Sequence, residues 1–208
     1  MRLPVDSGTI EGDLVVPDAA RGIIVFAHGS GSSRHSTRNQ RVAEGLRAER
    51  FGTLLFDLLT AAEEREDERT RALRFDIDLL AERLMLVKDA LGGEPSAHGL
   101  PLGYFGASTG AGAALAAAAM RLDVRAVVSR GGRPDLAGDD ALRRVRTPTL
   151  LIVGELDREV LALNREAQAL LGGPNELVIV PGATHLFEEP GVLDEVARLA
   201  ARHFTRYV

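Results

Sequence analysis

The segment YFGASTGAG, residues 104–112, runs from a short apolar stretch through a Gly-x-Ser-x-Gly motif into an alanine-rich helix. In a nucleophile elbow the serine lies in a strained turn between strand and helix, and only small residues fit two positions to either side. Gly106 and Gly110 are such residues. Ser108 also falls at a helix N-terminus, where N–H groups and the helix dipole stabilise an oxyanion. The segment therefore predicts Ser108 as a nucleophile.

The composition limits the class of protein. The 208 residues are 45% hydrophobic and 26% charged, which suits one globular domain over residues 1–208. A formal net charge of −5 gives no reason to expect nucleic acid or an anionic membrane as a partner. Residues 1–20 contain four acids and no long apolar core, so we expect no signal peptide, no membrane span and a cytoplasmic location. The absence of Cys excludes disulfides and thiolate metal sites.

Apolar runs alternate with helical stretches along the chain. Strands are predicted at 3–6, 9–16, 22–27, 53–56, 102–106, 126–129, 149–153 and 177–180, and helices at 37–50, 109–120, 138–144, 158–171 and 190–206. The charged segment 60–74 is interpreted as a solvated loop or as exposed first turns of a helix that runs to about Leu91. This alternation predicts a three-layer α/β/α fold with a doubly wound, mostly parallel sheet.

Ligand chemistry in such a sheet lies at the carboxyl ends of the strands. The residues that follow the apolar runs include Ser108, Asp157 and His185, in the chain order of a Ser-His-Asp hydrolase. In that arrangement His185 takes the proton of Ser108, and Asp157 holds the imidazole tautomer and stabilises the imidazolium. The sequence therefore predicts these three residues as a catalytic triad.

Each assignment has an alternative. The Gly-x-Ser-x-Gly motif occurs by chance in chains rich in Gly and Ala, although its strand and helix context favours the elbow. Asp157 is also a suitable N-cap for the helix that follows it, and Asp135 is a rival acid. His185 could be a structural loop residue. His28, the competing histidine, is expected to shape the glycine-rich loop after its strand.

The chain resembles the α/β-hydrolase superfamily, and within it the small dienelactone-hydrolase-like proteins. The resemblance rests on four motifs in order along the chain: His28–Gly31, Gly106–Gly110, Gly154–Asp157 and Gly182–His185. It implies an oxyanion hole made by the backbone N–H groups of Ser30 and Thr109. Dienelactone hydrolases proper use Cys where this chain has Ser108, which favours a general esterase over a dienelactone substrate.

The resulting expectation is a serine hydrolase that cleaves small carboxylic esters or lactones through an acyl-enzyme. No cofactor and no metal are expected, and the protein is expected to be a monomer or homodimer. The alternatives are a catalytically silent ligand-binding member of the same fold, or a hydrolase acting on a C–C or thioester bond. A Rossmann-type nucleotide site fails, because Arg34 and Leu115 stand where the third glycine of each fingerprint should be. The run 34–39 resembles hydrolases that are sometimes joined to a phosphoribosyltransferase domain, and no such domain is recognised here.

Several side chains near the predicted strand ends are candidates for lining the substrate site: His28, Arg34, His35, Asp57 and Arg130. Arg38 and Arg133 could join Arg34 and Arg130 around the mouth, where a substrate carboxylate or phosphate would gain a bidentate partner. Only a short connection at 130–148 joins the sixth and seventh strands, so the fold is expected to lack a cap domain and the cleft to be open.

Overall fold

The computed structural model describes residues 1–208 and contains one eight-stranded sheet. The strands are β1 (Arg2–Val5), β2 (Gly8–Val15), β3 (Ile23–Ala27), β4 (Gly52–Phe56), β5 (Leu102–Ala107), β6 (Val124–Arg130), β7 (Thr149–Gly154) and β8 (Asn175–Val180). Their order across the sheet is β1-β2-β4-β3-β5-β6-β7-β8. The first two strands form the predicted antiparallel ribbon, β2 pairs antiparallel with β4, and all later neighbours are parallel.

Helices cover both faces of this sheet. They are α1 (Thr37–Ala48), α2 (Ala61–Thr70), α3 (Ile77–Leu91), α4 (Thr109–Met120), α5 (Asp139–Arg144), α6 (Arg158–Leu170) and α7 (Val192–Tyr207). One apolar cluster joins one sheet face to α3, α4, α5 and α6, and a second joins the other face to α1 and α7. Every residue of β3, β4, β5 and β7 is buried, as expected for parallel strands covered on both sides. The predicted three-layer architecture is confirmed.

The segment 60–91 differs from its prediction, because it forms two separate helices and residues 60–74 are neither a loop nor the first turns of the helix that ends at Leu91. Thr60 caps α2 with a capping box: its side chain accepts from the Glu63 N–H, and the Glu63 carboxylate accepts from the Thr60 N–H. Arg71 ends α2 in a left-handed conformation, and Asp76 caps α3. The Thr-x-x-Glu signature of this box was present in the sequence and gave the true helix start.

The connection between β6 and β7 contains only a 3-10 helix (Pro134–Ala137) and α5. No inserted domain therefore covers the carboxyl ends of the strands, in agreement with the prediction of a fold without a cap. None of the helices is both long enough and apolar enough to cross a membrane.

The turn between β5 and α4 has the geometry that the sequence predicted. Ser108 lies at φ 51°, a strained value for a residue with a side chain. A Cβ on Gly106 would lie 2.4 Å from the Cα of Ala111, and one on Gly110 would lie 2.3 Å from the carbonyl oxygen of Ala27. Both glycines are thus required by backbone that passes too close for any side chain.

We predict that Gly106→Ala destabilises the fold by about 1–3 kcal/mol, because the added methyl group collides with backbone that cannot move aside. Urea denaturation followed by circular dichroism measures this difference. Gly93→Ala is the matched control, since a Cβ there would meet only the Ala90 carbonyl oxygen at 3.6 Å. Equal stability of the two variants would contradict the close approach at the elbow.

Candidate active site

Ser108 is held in its turn by the loop that follows β6. The Ser108 N–H donates to the carbonyl oxygen of Arg130 at 3.2 Å, and the Arg133 N–H donates to the carbonyl oxygen of Ser108 at 3.0 Å. These two bonds fix both peptide groups of the serine to one neighbouring segment. The strained backbone of Ser108 is therefore supported from the next strand of the sheet as well as by its own helix.

Asp157 and His185 meet across the loops that follow β7 and β8. The Nδ1 atom of His185 lies 2.6 Å from Oδ2 of Asp157, a charge-assisted hydrogen bond. Asp157 precedes α6 at the N-cap position, but its side chain makes no capping bond. The rival Asp135 is engaged by the guanidinium of Arg133 at 2.7 and 2.9 Å. The carboxylate that contacts the histidine is thus that of Asp157.

The loop that carries His185 is built onto the end of β7. A Cβ on Gly154 would lie 2.4 Å from the carbonyl oxygen of Ala183, so the two backbones touch there. The Leu156 N–H donates to the same carbonyl, and the Thr184 N–H donates to the Glu189 carboxylate. These contacts set the position of His185 relative to Asp157 through main chain that the glycine motifs allow.

Ser108 and His185 line one cleft of about 180 Å³. The imidazole uses Nδ1 for Asp157, which directs Nε2 away from that carboxylate, and no hydrogen bond links it to the Ser108 hydroxyl in this conformation. Such bonds are often long before substrate arrives and close in the Michaelis complex. The arrangement brings together a serine, a histidine and the acid that orients the histidine.

The two backbone N–H groups expected to form the oxyanion hole, those of Ser30 and Thr109, have no hydrogen-bond acceptor in the structure. Ser30 donates its N–H to no group in the structure, and Thr109 is the first residue of α4, whose N–H has no carbonyl partner one turn earlier. A Cβ on Gly29 would be 3.1 Å from the Cβ of Ser108, so the loop after β3 lies directly against the serine. The close approach of Gly110 to the Ala27 carbonyl brings the start of α4 against the end of β3, from which the loop with Ser30 continues.

His28 links the loop after β3 to the residues that follow β4. Its Nε2 accepts the Leu58 N–H at 3.1 Å, which leaves Nδ1–H to donate to the carbonyl oxygen of Gly29 at 2.9 Å. Burial lowers the pKa of His28, so the ring stays neutral as this pattern requires. The structure supports the expectation that His28 shapes the loop; both ring nitrogens are engaged by backbone, so we assign it no substrate contact.

The other expected lining residues separate into two groups. Arg130 lines the cleft of Ser108 and His185, with Arg38 beside it. Arg34 instead forms ion pairs with Asp57 and Glu11, in a separate cleft on the far side of the loop after β3. His35 is exposed and lines neither cleft. The expected substrate-lining positions of Arg34, Asp57 and His35 are therefore corrected, because neighbouring carboxylates draw Arg34 away from Ser108.

The expected facing of four arginines around the mouth is corrected in the same way. Arg133 is paired with Asp135, two residues along its own chain, and is absent from the cleft. Arg38 lines the cleft and reaches Glu188 on the rim at 2.5 Å. Of the four side chains, only those of Arg38 and Arg130 lie beside Ser108.

Asn39 is a cleft residue that the sequence reasoning missed. It lies on α1, is 2% exposed and accepts a hydrogen bond of 3.4 Å from Nη2 of Arg130. It shares the buried face of α1 with Val42, Ala43 and Leu46. An asparagine on an otherwise apolar helix face was the signal that could have identified it, because buried polar groups need partners.

Comparison with known proteins places this geometry in a family. The model of a family described as an alpha/beta hydrolase domain matches residues 20–198. The chain belongs to the α/β-hydrolase family. A crystal structure of a dienelactone hydrolase from Anabaena variabilis is 55% identical, covers 100% of this chain and 96% of its own, and superposes with a TM-score of 0.96. The esterase domain of a Rhodothermus marinus protein, 17% identical over 100% of this chain and 97% of its own, shows the same fold with a TM-score of 0.76.

Two curated Mycobacterium tuberculosis proteins, provisionally named phosphoribosyl transferases, are 62% identical over 196 residues. That match covers 94% of this α/β-hydrolase but only 43% of each relative. The chain thus spans less than half the length of these curated relatives.

We predict that this α/β-hydrolase loses stability as the pH falls below about 6.5, the ordinary pKa of a histidine. The pKa of His28 is lowered by burial, so below that pH the unfolded chain binds the proton more readily than the folded one. Urea unfolding at pH 5, 6 and 7 measures the slope, and His28→Gln should flatten it.

His203 provides the control for that experiment, because burial lowers its pKa as well and it lies far from the cleft, against the Pro148 carbonyl. His203→Gln should flatten the dependence of stability on pH and leave catalysis unchanged. His28→Gln should flatten this dependence and also impair catalysis. An unchanged slope in His28→Gln would contradict the neutral buried state of this histidine.

Proposed function

We propose that this protein is a serine hydrolase of small carboxylic esters or lactones, with Ser108 as nucleophile. The observation that carries the proposal is the bond between His185 and Asp157 at the edge of a cleft that also contains a strained serine. A structural loop histidine needs no carboxylate partner, whereas His185 has one in Asp157, whose side chain is only 13% exposed. The arrangement fits the role in which the acid fixes the imidazole tautomer and the imidazole receives the serine proton.

In the proposed reaction the Ser108 Oγ attacks the ester carbonyl while His185 Nε2 accepts its proton. The carbonyl oxygen becomes an oxyanion between the N–H groups of Ser30 and Thr109, at the N-terminus of α4. His185 then gives the proton to the leaving alkoxide, and an acyl-enzyme remains. The same imidazole then deprotonates a water molecule that attacks the acyl group, and the imidazolium returns this proton to the Ser108 Oγ as the carboxylic acid leaves.

The comparisons support ester or lactone hydrolysis as the reaction class. The Anabaena variabilis relative is titled a dienelactone hydrolase, and more distant structures with the same fold include esterases. The phosphoribosyl transferase name belongs to proteins of which this chain matches 43%. We therefore assign only the hydrolytic step to these residues. A silent binding member of the fold is the alternative, and the pairing of Asp157 with His185 argues against it.

We predict that Ser108→Ala lowers kcat for p-nitrophenyl acetate by about 10³–10⁶-fold, because the variant keeps its oxyanion donors but has no nucleophile. Wild-type protein should also be labelled by a fluorophosphonate, and the variant should not. Circular dichroism spectra of the two proteins should coincide. Hydrolysis by Ser108→Ala at the wild-type rate would disprove the assignment of the nucleophile.

The identity of the acid is tested separately. Asp157→Asn should lower kcat by about 10³–10⁴-fold, since the amide no longer holds the tautomer in which Nε2 accepts a proton. Asp135→Asn is the matched control, because that carboxylate contacts only Arg133. We expect Asp135→Asn to keep kcat within about threefold of wild type. The reverse result would mean that Asp135 is the acid.

The small, uncapped cleft predicts a weak dependence on acyl length. A fully buried methylene contributes about 0.8 kcal/mol, so burying the four extra methylenes of an octanoyl over a butyryl chain would raise kcat/KM by about 200-fold. A cleft of about 180 Å³ open to solvent cannot enclose them. We expect kcat/KM for p-nitrophenyl butyrate and octanoate to differ by less than about tenfold. A preference near 200-fold for octanoate would show that a longer apolar channel exists.

A further inference from the structure

Arg130 is a buried cation without a carboxylate partner. It ends β6, is 7% exposed, and its Nε and Nη1 atoms have no hydrogen-bond partner. Its Nη2 makes one bond of 3.4 Å to Oδ1 of Asn39, and its guanidinium carbon lies 5.7 Å from the ring centroid of Phe187. Since a guanidinium carries five N–H groups, most of its donors are unused.

Arg83, which is as buried as Arg130 but lies elsewhere in the fold, has a carboxylate partner. It is also 7% exposed, and its Nη2 donates to the Glu63 carboxylate at 2.7 Å. The partly buried Arg34 and Arg74 likewise each have a carboxylate partner. Buried charges are normally paired because an uncompensated ion is costly to remove from water. Arg130 is the exception among these arginines.

The charge on Arg130 is not removed by its surroundings. Burial lowers its pKa to about 10, so the guanidinium is still protonated at neutral pH. Arg38 is the charged side chain that acts on it, and because Arg38 is also positive it adds to the unfavourable potential. An anion placed between these two groups would offset the free-energy cost of burying the Arg130 charge, and it would reduce the repulsion between the two arginines.

The cleft beside Ser108 is the place where such an anion would fit. Arg38 and Arg130 line it together with polar residues of the α1 N-terminus, Ser36 and Asn39, and no Asp or Glu lines it. Glu188 reaches Arg38 from the rim, where its side chain is 57% exposed. The neighbouring cleft, which Ser108 does not line, instead contains Glu11, Asp57 and Glu64. Of these two clefts, the one beside Ser108 is therefore the one that has arginines but no carboxylate in its lining.

We propose that Arg130, with Arg38 at the rim, binds a carboxylate or phosphate group carried by the substrate in addition to its ester or lactone bond. This inference rests on the proposed hydrolase function and names the substrate class of that site. Arg130 would act as a specificity residue: it contacts a part of the substrate that does not react and places the carbonyl at Ser108. Charge-assisted bonds from a desolvated arginine are strong enough to dominate such selection.

The first test compares kcat/KM for three p-nitrophenyl esters. The butyrate is neutral, the hemisuccinate carries a carboxylate, and the phosphonoacetate carries a phosphonate as an analogue of phosphate. The wild type should favour an anionic ester over the butyrate at low salt, and the better of the two identifies the anion. In Arg130→Met the ratio of anionic to neutral kcat/KM should fall by about 30- to 100-fold, and Arg130→Lys should recover part of it.

Arg41→Met is the matched control, because Arg41 lies one turn along α1 from Arg38, pairs with Asp194 and does not line the cleft. It removes the same formal charge and should leave the substrate ratio within about twofold of wild type. An equal fall of the ratio in Arg41→Met and Arg130→Met would mean that only net charge matters. That result, or an unchanged ratio in Arg130→Met, would overturn the proposal and leave the hydrolase function standing.

A second readout needs no catalysis. Succinate and inorganic phosphate at 10 mM, against sodium chloride of equal ionic strength, should raise the Tm of the wild type and of Ser108→Ala but not that of Arg130→Met. If none of the esters is cleaved, the proposed function fails, and a Tm shift that depends on Arg130 would still support the anion site. Absence of a shift with both anions in the wild type, together with equal kcat/KM for neutral and charged esters, would overturn the site itself.

Discussion

The close passage of the start of α4 over the end of β3 is the constraint on which the rest of the site depends. Gly110 is the contact residue, and a Cβ there would lie within 2.4 Å of the carbonyl oxygens of both Ala27 and His28. This approach brings the loop after β3, with the Ser30 N–H, to the N-terminus of the helix that carries the Thr109 N–H. The positions of Ser108 and of these two N–H groups relative to one another therefore depend on one backbone contact between α4 and the end of β3.

The parts of the site differ in how charge is balanced around them. His28 is kept neutral by burial and uses both ring nitrogens for backbone, so the loop beneath Ser108 is fixed without a net charge. Asp157 and His185 are hydrogen-bonded directly to each other. Arg130 alone has no counter-charge. His28 and the Asp157–His185 pair thus bind groups of the chain itself. Arg130 is left to bind the substrate anion proposed above.

Charge pairing also explains why the arginines that follow β3 and β6 in the sequence lie in different places from those expected. In the sequence Arg34 lies nearer the end of β3 than Arg38 does, and Arg133 follows Arg130 by only three residues. Arg34 and Arg133 each have a carboxylate within reach on their own side, Asp57 and Asp135 respectively, and the ion pair sets the direction of the side chain. Proximity along the chain therefore did not predict which arginine faces the cleft.

The sequence by itself determined the class of fold, the order of the strands along the chain and the candidate residues Ser108, Asp157 and His185. It could do so because apolar periodicity reports burial and because small residues around a serine report a strained turn, and both are local properties. The capping box of Thr60 is an equally local signal, since it marks the start of α2. Only the tertiary structure decided which acid meets the histidine and which arginine is left without a partner. Those outcomes depend on contacts between segments distant in sequence, and in such contacts each carboxylate can satisfy only the cations that the fold brings to it.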